Sequence, residues 1–130
     1  MGQCALMAQL PHSYVQARRL GVARRSIIEH VFDNWCDPPR GKILHRVDRP
    51  VLIYTHQVWP SAGHSMRLGP SDARRHGLRI ESLQPGRQAA WVRLDTGEWL
   101  ALVFADVKTA DGRSKLTLQL WLQRHMFRAI

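Results

Sequence analysis

Long hydrophobic runs are missing from this sequence. The longest uninterrupted one, Trp99 to Ala105, is far shorter than the ~20 residues that a membrane-spanning helix needs. The first ten residues also lack the basic segment and the apolar core of a secretory signal. We therefore expect no membrane partner and a cytoplasmic location.

Cysteine is scarce. Cys4 and Cys36 are the only two cysteines, and their spacing does not suggest a zinc site. In a reducing cytoplasm two such residues are expected to be free thiols.

The common catalytic motifs are absent as well. The sequence has no glycine-rich phosphate-binding loop, no nucleophile elbow and no zinc-binding H-E-x-x-H. No two of the seven histidines have the spacing of metal ligands on a helix. We therefore expect no cofactor and no metal, and a binding role is favoured over an enzymatic one.

Positive charge is abundant. The 19 basic residues outnumber the 10 acidic ones, giving a formal net charge of +9, and all but Lys42, Lys108 and Lys115 of the basic residues are arginine. Arginine can bind phosphates or bases through two parallel hydrogen bonds, which makes DNA or RNA the leading partner class. The alternative is a compositional bias toward arginine, with the charges scattered over a solvated surface.

Two capping boxes predict helices within residues 12–36. Ser13 to Gln16 begins a helix that runs through Leu20, and Ser26 to Glu29 begins a second that runs to Trp35. Prolines 38 and 39 then end the second helix. Residues 1–10 are expected to be flexible and residues 36–50 to form a polar connector. The second helix has four apolar residues on one face, Ile28, Val31, Phe32 and Trp35.

Residues 17–27, ARRLGVARRSI, resemble the core of a bacterial helix-turn-helix. The likeness lies in a small residue, a Leu-Gly turn and two apolar anchors: Ala17, Leu20, Gly21, Val22 and Ile27. Gln16 and His30 depart from the family, which has apolar residues there. The resemblance implies that polar side chains around the turn bind nucleic acid, namely Arg18, Arg19, Arg24, Arg25 and Ser26. The alternative, which we favour, is a plain helical hairpin packed on a sheet.

The rest of the chain, residues 51–123, is expected to be mainly β. Val51 to Trp59 is rich in β-branched and aromatic residues and predicts a strand between two prolines. Residues 71–76 predict a short helix that stops at Gly77. A further strand around Leu78 to Leu83 is expected to close at Pro85 and Gly86.

Alternating apolar residues and turn signals then predict a three-stranded meander. Its strands are residues 89–94, 99–108 and 115–123, joined by turns at 95–97 and 111–112. The middle strand is apolar on both faces, so we expect it to be central and covered on both sides. In the last strand the leucines occupy one face, and we expect Trp99 and Trp121 on the opposite one.

These elements together predict a single α+β domain over residues 1–130. Two N-terminal helices would pack on a mainly antiparallel sheet or partly closed barrel of about five strands, ending in the meander. The order of elements resembles the cone-shaped barrels of the nuclear-transport-factor-like fold, and an SH3-like or roll-like sheet is the alternative.

One group of polar residues around the first predicted strand is a candidate ligand pocket. A histidine there, oriented by Asp48, could act as a base, and Tyr54 and His56 would share one strand face. The alternative is a half-buried strand histidine with the others on loops. The candidate pocket residues are His45, Asp48, Tyr54, His56 and His64.

Three functions follow from these observations. The first is a non-enzymatic nucleic-acid-binding protein, supported by charge, arginine content and the helix-turn-helix resemblance. The second is a homodimer or protein-interaction module that uses an aromatic sheet face. The third is a small-molecule-binding or catalytic α+β barrel.

Overall fold

The computed structural model describes residues 30–60 and 69–130. The chain divides into two compact units, Met1–Lys42 and Ile43–Ile130. The single-domain expectation stays a prediction. Elements of the second unit are β1 (Leu44–Tyr54), α1 (Thr55–Val58), α2 (Ser71–His76), β2 (Leu78–Arg79), β3 (Leu83–Arg93), β4 (Trp99–Thr109), β5 (Lys115–Gln123), a 3₁₀ turn (Arg124–Met126) and β6 (Phe127–Ala129).

The strands form one antiparallel sheet of six strands in which the last strand returns to the first. β4 pairs with β5 along one edge, and along the other it pairs with β3 and, at its end, with β2. β3 pairs with β1, and β1 pairs with β6 through Val51 opposite Ala129. The chain passes from β5 to β6 through one 3₁₀ turn.

The sheet curls around a core formed by side chains from strands that are not neighbours. Ile53 of β1 and Val103 of β4 are both fully buried in one cluster, although β3 lies between their strands. Gly86 of β3 makes this approach feasible. A Cβ there would lie 3.0 Å from Val103 Cγ1 and 3.1 Å from Ile53 Cδ1, so a larger residue would hold the two strands apart.

β4 is the central strand and is buried on both faces, as predicted. Val103 faces the core, Leu102 faces the other way, and neither has exposed area. β5 is buried on one side only, with Leu122 in the core and Trp121 41% exposed on the opposite face. The three consecutive strands β3, β4 and β5 are the meander expected from the sequence.

The α+β fold class is wrong. The described residues form an antiparallel sheet with two short helices, and the two predicted N-terminal helices are not among them. The first predicted helix lies outside the described residues. Of the second, His30 and Val31 are helical, and then Asp33 and Trp35 donate backbone hydrogen bonds three residues back, which is turn rather than α-helical geometry.

The first strand also differs from its prediction. Residues 44–50, expected to be a connector, belong to β1, and the strand stops at Tyr54 rather than Trp59. Thr55 is fully buried, its backbone N–H donates to the Ser82 carbonyl and its hydroxyl donates to the Glu81 carbonyl. These bonds turn the chain away from the sheet at the point where its partner strand begins.

Pro85 and Gly86 lie within β3 instead of ending it. Both pair with β1, whereas β3 pairs with β4 only from Arg87 onward. A proline is tolerated there because one edge of the strand has no ladder hydrogen bond to lose. The short helix 71–76 followed by Gly77 is confirmed.

No helix in the described part of the chain is long and apolar enough to cross a membrane.

Cys36 takes part in a disulfide, so the expectation of free thiols is wrong for this residue. Cys4 lies outside the described residues. The cytoplasmic location stays a prediction.

Candidate nucleic-acid interface

A cleft of about 680 Å³ opens at the end of the curled sheet where β4 begins. Three parts of the chain that are far apart in sequence contribute to it: β1, the β3–β4 hairpin, and the segment from the 3₁₀ turn through β6. Its lining residues are His45, Val47, Arg49, Trp91, Trp99, Arg124, Phe127, Arg128 and Ala129.

Strand register explains why the aromatic residues meet there. Trp91 lies opposite His45 on one side and Ala101 on the other, and Trp99 lies opposite Arg93. Residues opposite one another in a sheet share a face, so these side chains continue the face on which the core is built. Trp91 packs on that core, and the cleft is the open end of the same interior.

Two irregularities in pairing lie beside the cleft. The β1–β3 register shifts between Arg46 and Arg49, and the β3–β4 register shifts between Gln88 and Ala90. Bulges of this kind bend a strand and redirect side chains, and they are common beside functional sites. Here both adjoin the rung that carries Arg49 and Gln88, on the side toward Ala90.

Trp91 and Arg49 form one wall of the cleft. The Arg49 guanidinium carbon lies 5.9 Å from the centroid of the Trp91 ring, within the range of a cation–π contact. The Phe127 ring lies 5.7 Å from the Trp91 ring, at a tilt of 39°. The indole is thus held by Phe127 while a cation lies against it.

On the other wall of the cleft, Trp99 also has an arginine and a second ring beside it. The Arg93 guanidinium carbon lies 5.6 Å from the Trp99 ring centroid, and Arg93 Nε donates to the Gly97 carbonyl at 3.3 Å. The His45 ring meets the same indole edge-on, with centroids 5.2 Å apart and planes at 61°. Each tryptophan therefore has one arginine and one further ring beside it.

The cleft is positively charged. Arg49, Arg124 and Arg128 line it, and none of the described residues that line it is acidic. Concave surfaces lined by one sign of charge concentrate the field and attract ligands of opposite sign. The cleft therefore suits an anionic ligand that also offers flat rings.

Of the candidate pocket residues that the structure describes, only His45 lies at this cleft. His45 lines it, whereas Asp48 is exposed on another side and pairs with Arg87, raising the pKa of that guanidinium above its ordinary value. The Tyr54 and His56 rings lie 6.3 Å apart, and neither is part of the cleft lining. His64 lies outside the described residues.

The structure does not describe the candidate nucleic-acid-binding residues. Arg18, Arg19, Arg24, Arg25 and Ser26, which carry the helix-turn-helix resemblance, lie outside the described residues. No group of His, Cys, Asp or Glu in the described ranges is arranged to hold a metal ion.

The expected placement of the two meander tryptophans on one face is wrong for Trp99. Ala101 lies opposite Leu122, and Trp99 comes two residues before Ala101, so Trp99 shares the leucine face. Trp121 lies on the opposite face, opposite Leu102. The two rings therefore do not form a common aromatic surface.

Sequence reasoning missed six of the nine lining residues, Val47, Arg49, Arg124, Phe127, Arg128 and Ala129. Residues 44–50, LHRVDRP, have no regular alternation of apolar and polar side chains, so no periodic signal marked the missed part of β1. β6 has three residues, too few for a periodic pattern.

Comparison of the chain with family models, with curated proteins and with solved structures gives no match.

Proposed function

We propose that this protein binds single-stranded nucleic acid in the cleft, without catalysing a reaction. The observation that carries the proposal is the pair of arginine–tryptophan contacts, Arg49 on Trp91 and Arg93 on Trp99, whose two indole rings line one positively charged cleft. The proposal assigns the binding surface to the sheet, whereas the helix-turn-helix resemblance would assign it to residues 17–27.

The chemistry of the lining matches that of a single strand. Every base has a flat face that can stack on an indole, and its phosphates can be bound by arginine. The net charge of +9 adds a longer-range attraction for a polyanion.

A duplex fits the same site poorly. The tryptophans lie inside a concave cleft, where only bases that are already unstacked and turned outward can reach them. We therefore expect a preference for single strands over duplexes of the same sequence.

Fluorescence anisotropy of labelled single strands and duplexes tests the proposal. Affinity for the single strand should fall steeply between about 50 and about 200 mM salt, because phosphate contacts release counterions. A labelled acidic peptide serves as the comparison polyanion.

Trp99→Ala and Trp121→Ala form a matched pair of variants. Trp99 lines the cleft, whereas Trp121 is an exposed indole on the opposite face of the sheet. Losing one stacking ring should cost about 1–3 kcal/mol of binding, roughly a 5- to 150-fold weaker affinity, for Trp99→Ala. Trp121→Ala should remain within about twofold of the parent protein.

Three results would contradict the proposal. They are no binding to any single strand at about 50 mM salt, equal losses from both tryptophan variants, and acidic-peptide binding as tight as that of the oligonucleotide.

A further inference from the structure

Gln88 of β3 is a fully buried polar side chain directly behind the cleft. Its Oε1 accepts a hydrogen bond from Arg49 Nε at 2.7 Å, and its Nε2 donates to the Ala90 carbonyl at 3.2 Å. The amide is therefore bound at both ends, once to the backbone at the bulge and once to an arginine that lines the cleft.

The direction of these bonds is fixed by chemistry. Arginine only donates and a carbonyl only accepts, so the amide oxygen must face Arg49 and the amide nitrogen must face Ala90. Reversing the amide would place donor against donor and acceptor against acceptor inside the protein, where unpaired polar groups are costly.

This arrangement determines which part of Arg49 a ligand can meet. Gln88 occupies Nε, and the guanidinium lies 5.9 Å from the centre of the Trp91 ring. The remaining pair of terminal nitrogens is the fork that binds a phosphate through two parallel hydrogen bonds.

We infer that Arg49 is the phosphate-binding residue of the cleft and that Gln88 is its positioning residue, holding the guanidinium against the Trp91 ring. This inference rests on the proposed function. It predicts that the guanidinium must be held in place, so that positive charge alone at position 49 does not give full affinity for the oligonucleotide.

Gln84 provides a matched comparison in the same strand. It is also a buried glutamine on the core side of the sheet, 7% exposed. Its amide accepts from the Glu81 backbone N–H and donates to the carbonyls of Pro85 and Asp106, so its described partners are all backbone groups. Gln84 therefore resembles Gln88 in burial and differs in having no arginine to hold.

A double-mutant cycle with a labelled oligothymidylate tests the inference. Arg49→Ala should weaken binding about tenfold and reduce the salt slope by roughly 0.7, the loss of one phosphate contact on a single strand. Gln88→Met should reproduce most of both changes, yet add less than about twofold when Arg49 is already alanine. Gln84→Met should leave affinity and slope unchanged.

Arg49→Lys covers the case in which Gln88→Met fails to fold. Lysine keeps the charge but loses the planar fork and the bond from Nε, so its affinity should fall close to that of Arg49→Ala. The thermal midpoint of each variant, measured alongside, separates loss of fold from loss of binding.

The outcomes distinguish this inference from the function on which it rests. Wild-type protein that binds no oligothymidylate overturns both. Wild-type binding that weakens in Trp99→Ala but not in Arg49→Ala, or is kept by Arg49→Lys, overturns only the role of Arg49. An equal effect of Gln88→Met with and without Arg49 overturns the positioning role.

Discussion

The two ends of β4 differ. The cleft lies at its first residue, Trp99, and a polar turn follows its last residue, Thr109. At the turn, the Asp111 carboxylate accepts hydrogen bonds from the Thr109 hydroxyl at 2.6 Å and from His76 at 2.7 Å. At the cleft, Arg49 and Arg93 lie against indole rings, and no acidic residue is part of the described lining.

The difference separates a structural polar cluster from the proposed binding surface. The turn joins its acidic group to hydroxyl, imidazole and backbone donors, so its carboxylate oxygens already accept hydrogen bonds within the protein. The cleft keeps cations and flat rings together at an opening to solvent. Polar residues therefore have different partners at the two ends, and the following variants should affect the ends differently.

The largest effect is expected from the core that both ends share. Ile53 of β1 is fully buried in the core cluster with Val103 of β4. Ile53→Ala should therefore lower the free energy of unfolding by about 2–5 kcal/mol. Chemical denaturation measures this loss. Leu52→Ala, a half-buried neighbour on the other face, is the control, and an equal loss there would contradict the assignment of the core.

Gly77→Ala should damage the polar end alone. A Cβ at this position would lie 2.4 Å from the Ala73 carbonyl oxygen, so the backbone must shift, at a cost of about 1–3 kcal/mol. Oligonucleotide affinity should stay unchanged, since the cleft is at the other end of β4. Gly69→Ala, whose Cβ would make an ordinary 3.6 Å contact, is the matched control. Weakened binding in Gly77→Ala would show that the ends are coupled.

The smallest effect concerns the pKa of Asp111. Hydrogen bonds from Thr109, from His76 and from the Arg113 backbone lower this pKa from its ordinary value of 3.8 to about 2. The folded state therefore favours the carboxylate. Its stabilising contribution is complete above the ordinary value and is lost as the pH falls through about 2.

Thr109→Val removes the largest of these causes, so the pKa of Asp111 should rise toward its ordinary value. An NMR titration of the side-chain carboxyl carbon measures it. Thr117→Val is the control, because that hydroxyl donates to Asp106 instead. A pKa that is the same in Thr109→Val and the parent protein would contradict the hydrogen-bonded turn.

The meander could be predicted because its signals are local. Alternation along β5 and turn glycines with positive φ, at Gly97 and Gly112, determine both strands and turns within about 35 residues of sequence. The error in β1 arose because residues 44–50 contain charged side chains; Arg46 and Asp48 lie on the exposed face of the strand and Arg49 on its half-buried face. The fold class failed because it depended on helical patterns in residues 12–36.

The cleft could be predicted only in part. Trp91 and Trp99 were recognisable as aromatic residues on strands, but their meeting with Arg49 and Phe127 depends on pairings between distant parts of the chain. The bulge beside Gln88, which places its amide against Arg49, has no signature in a single sequence.

The most direct test of the central claim is an NMR titration that follows the indole N–H signals of the tryptophans as a short single strand is added. Signals are assigned with single Trp→Phe variants. The cleft predicts that the signals of Trp91 and Trp99 shift together and saturate, while that of Trp121 stays in place. A titration that moves Trp121 and leaves Trp91 and Trp99 unchanged would contradict it.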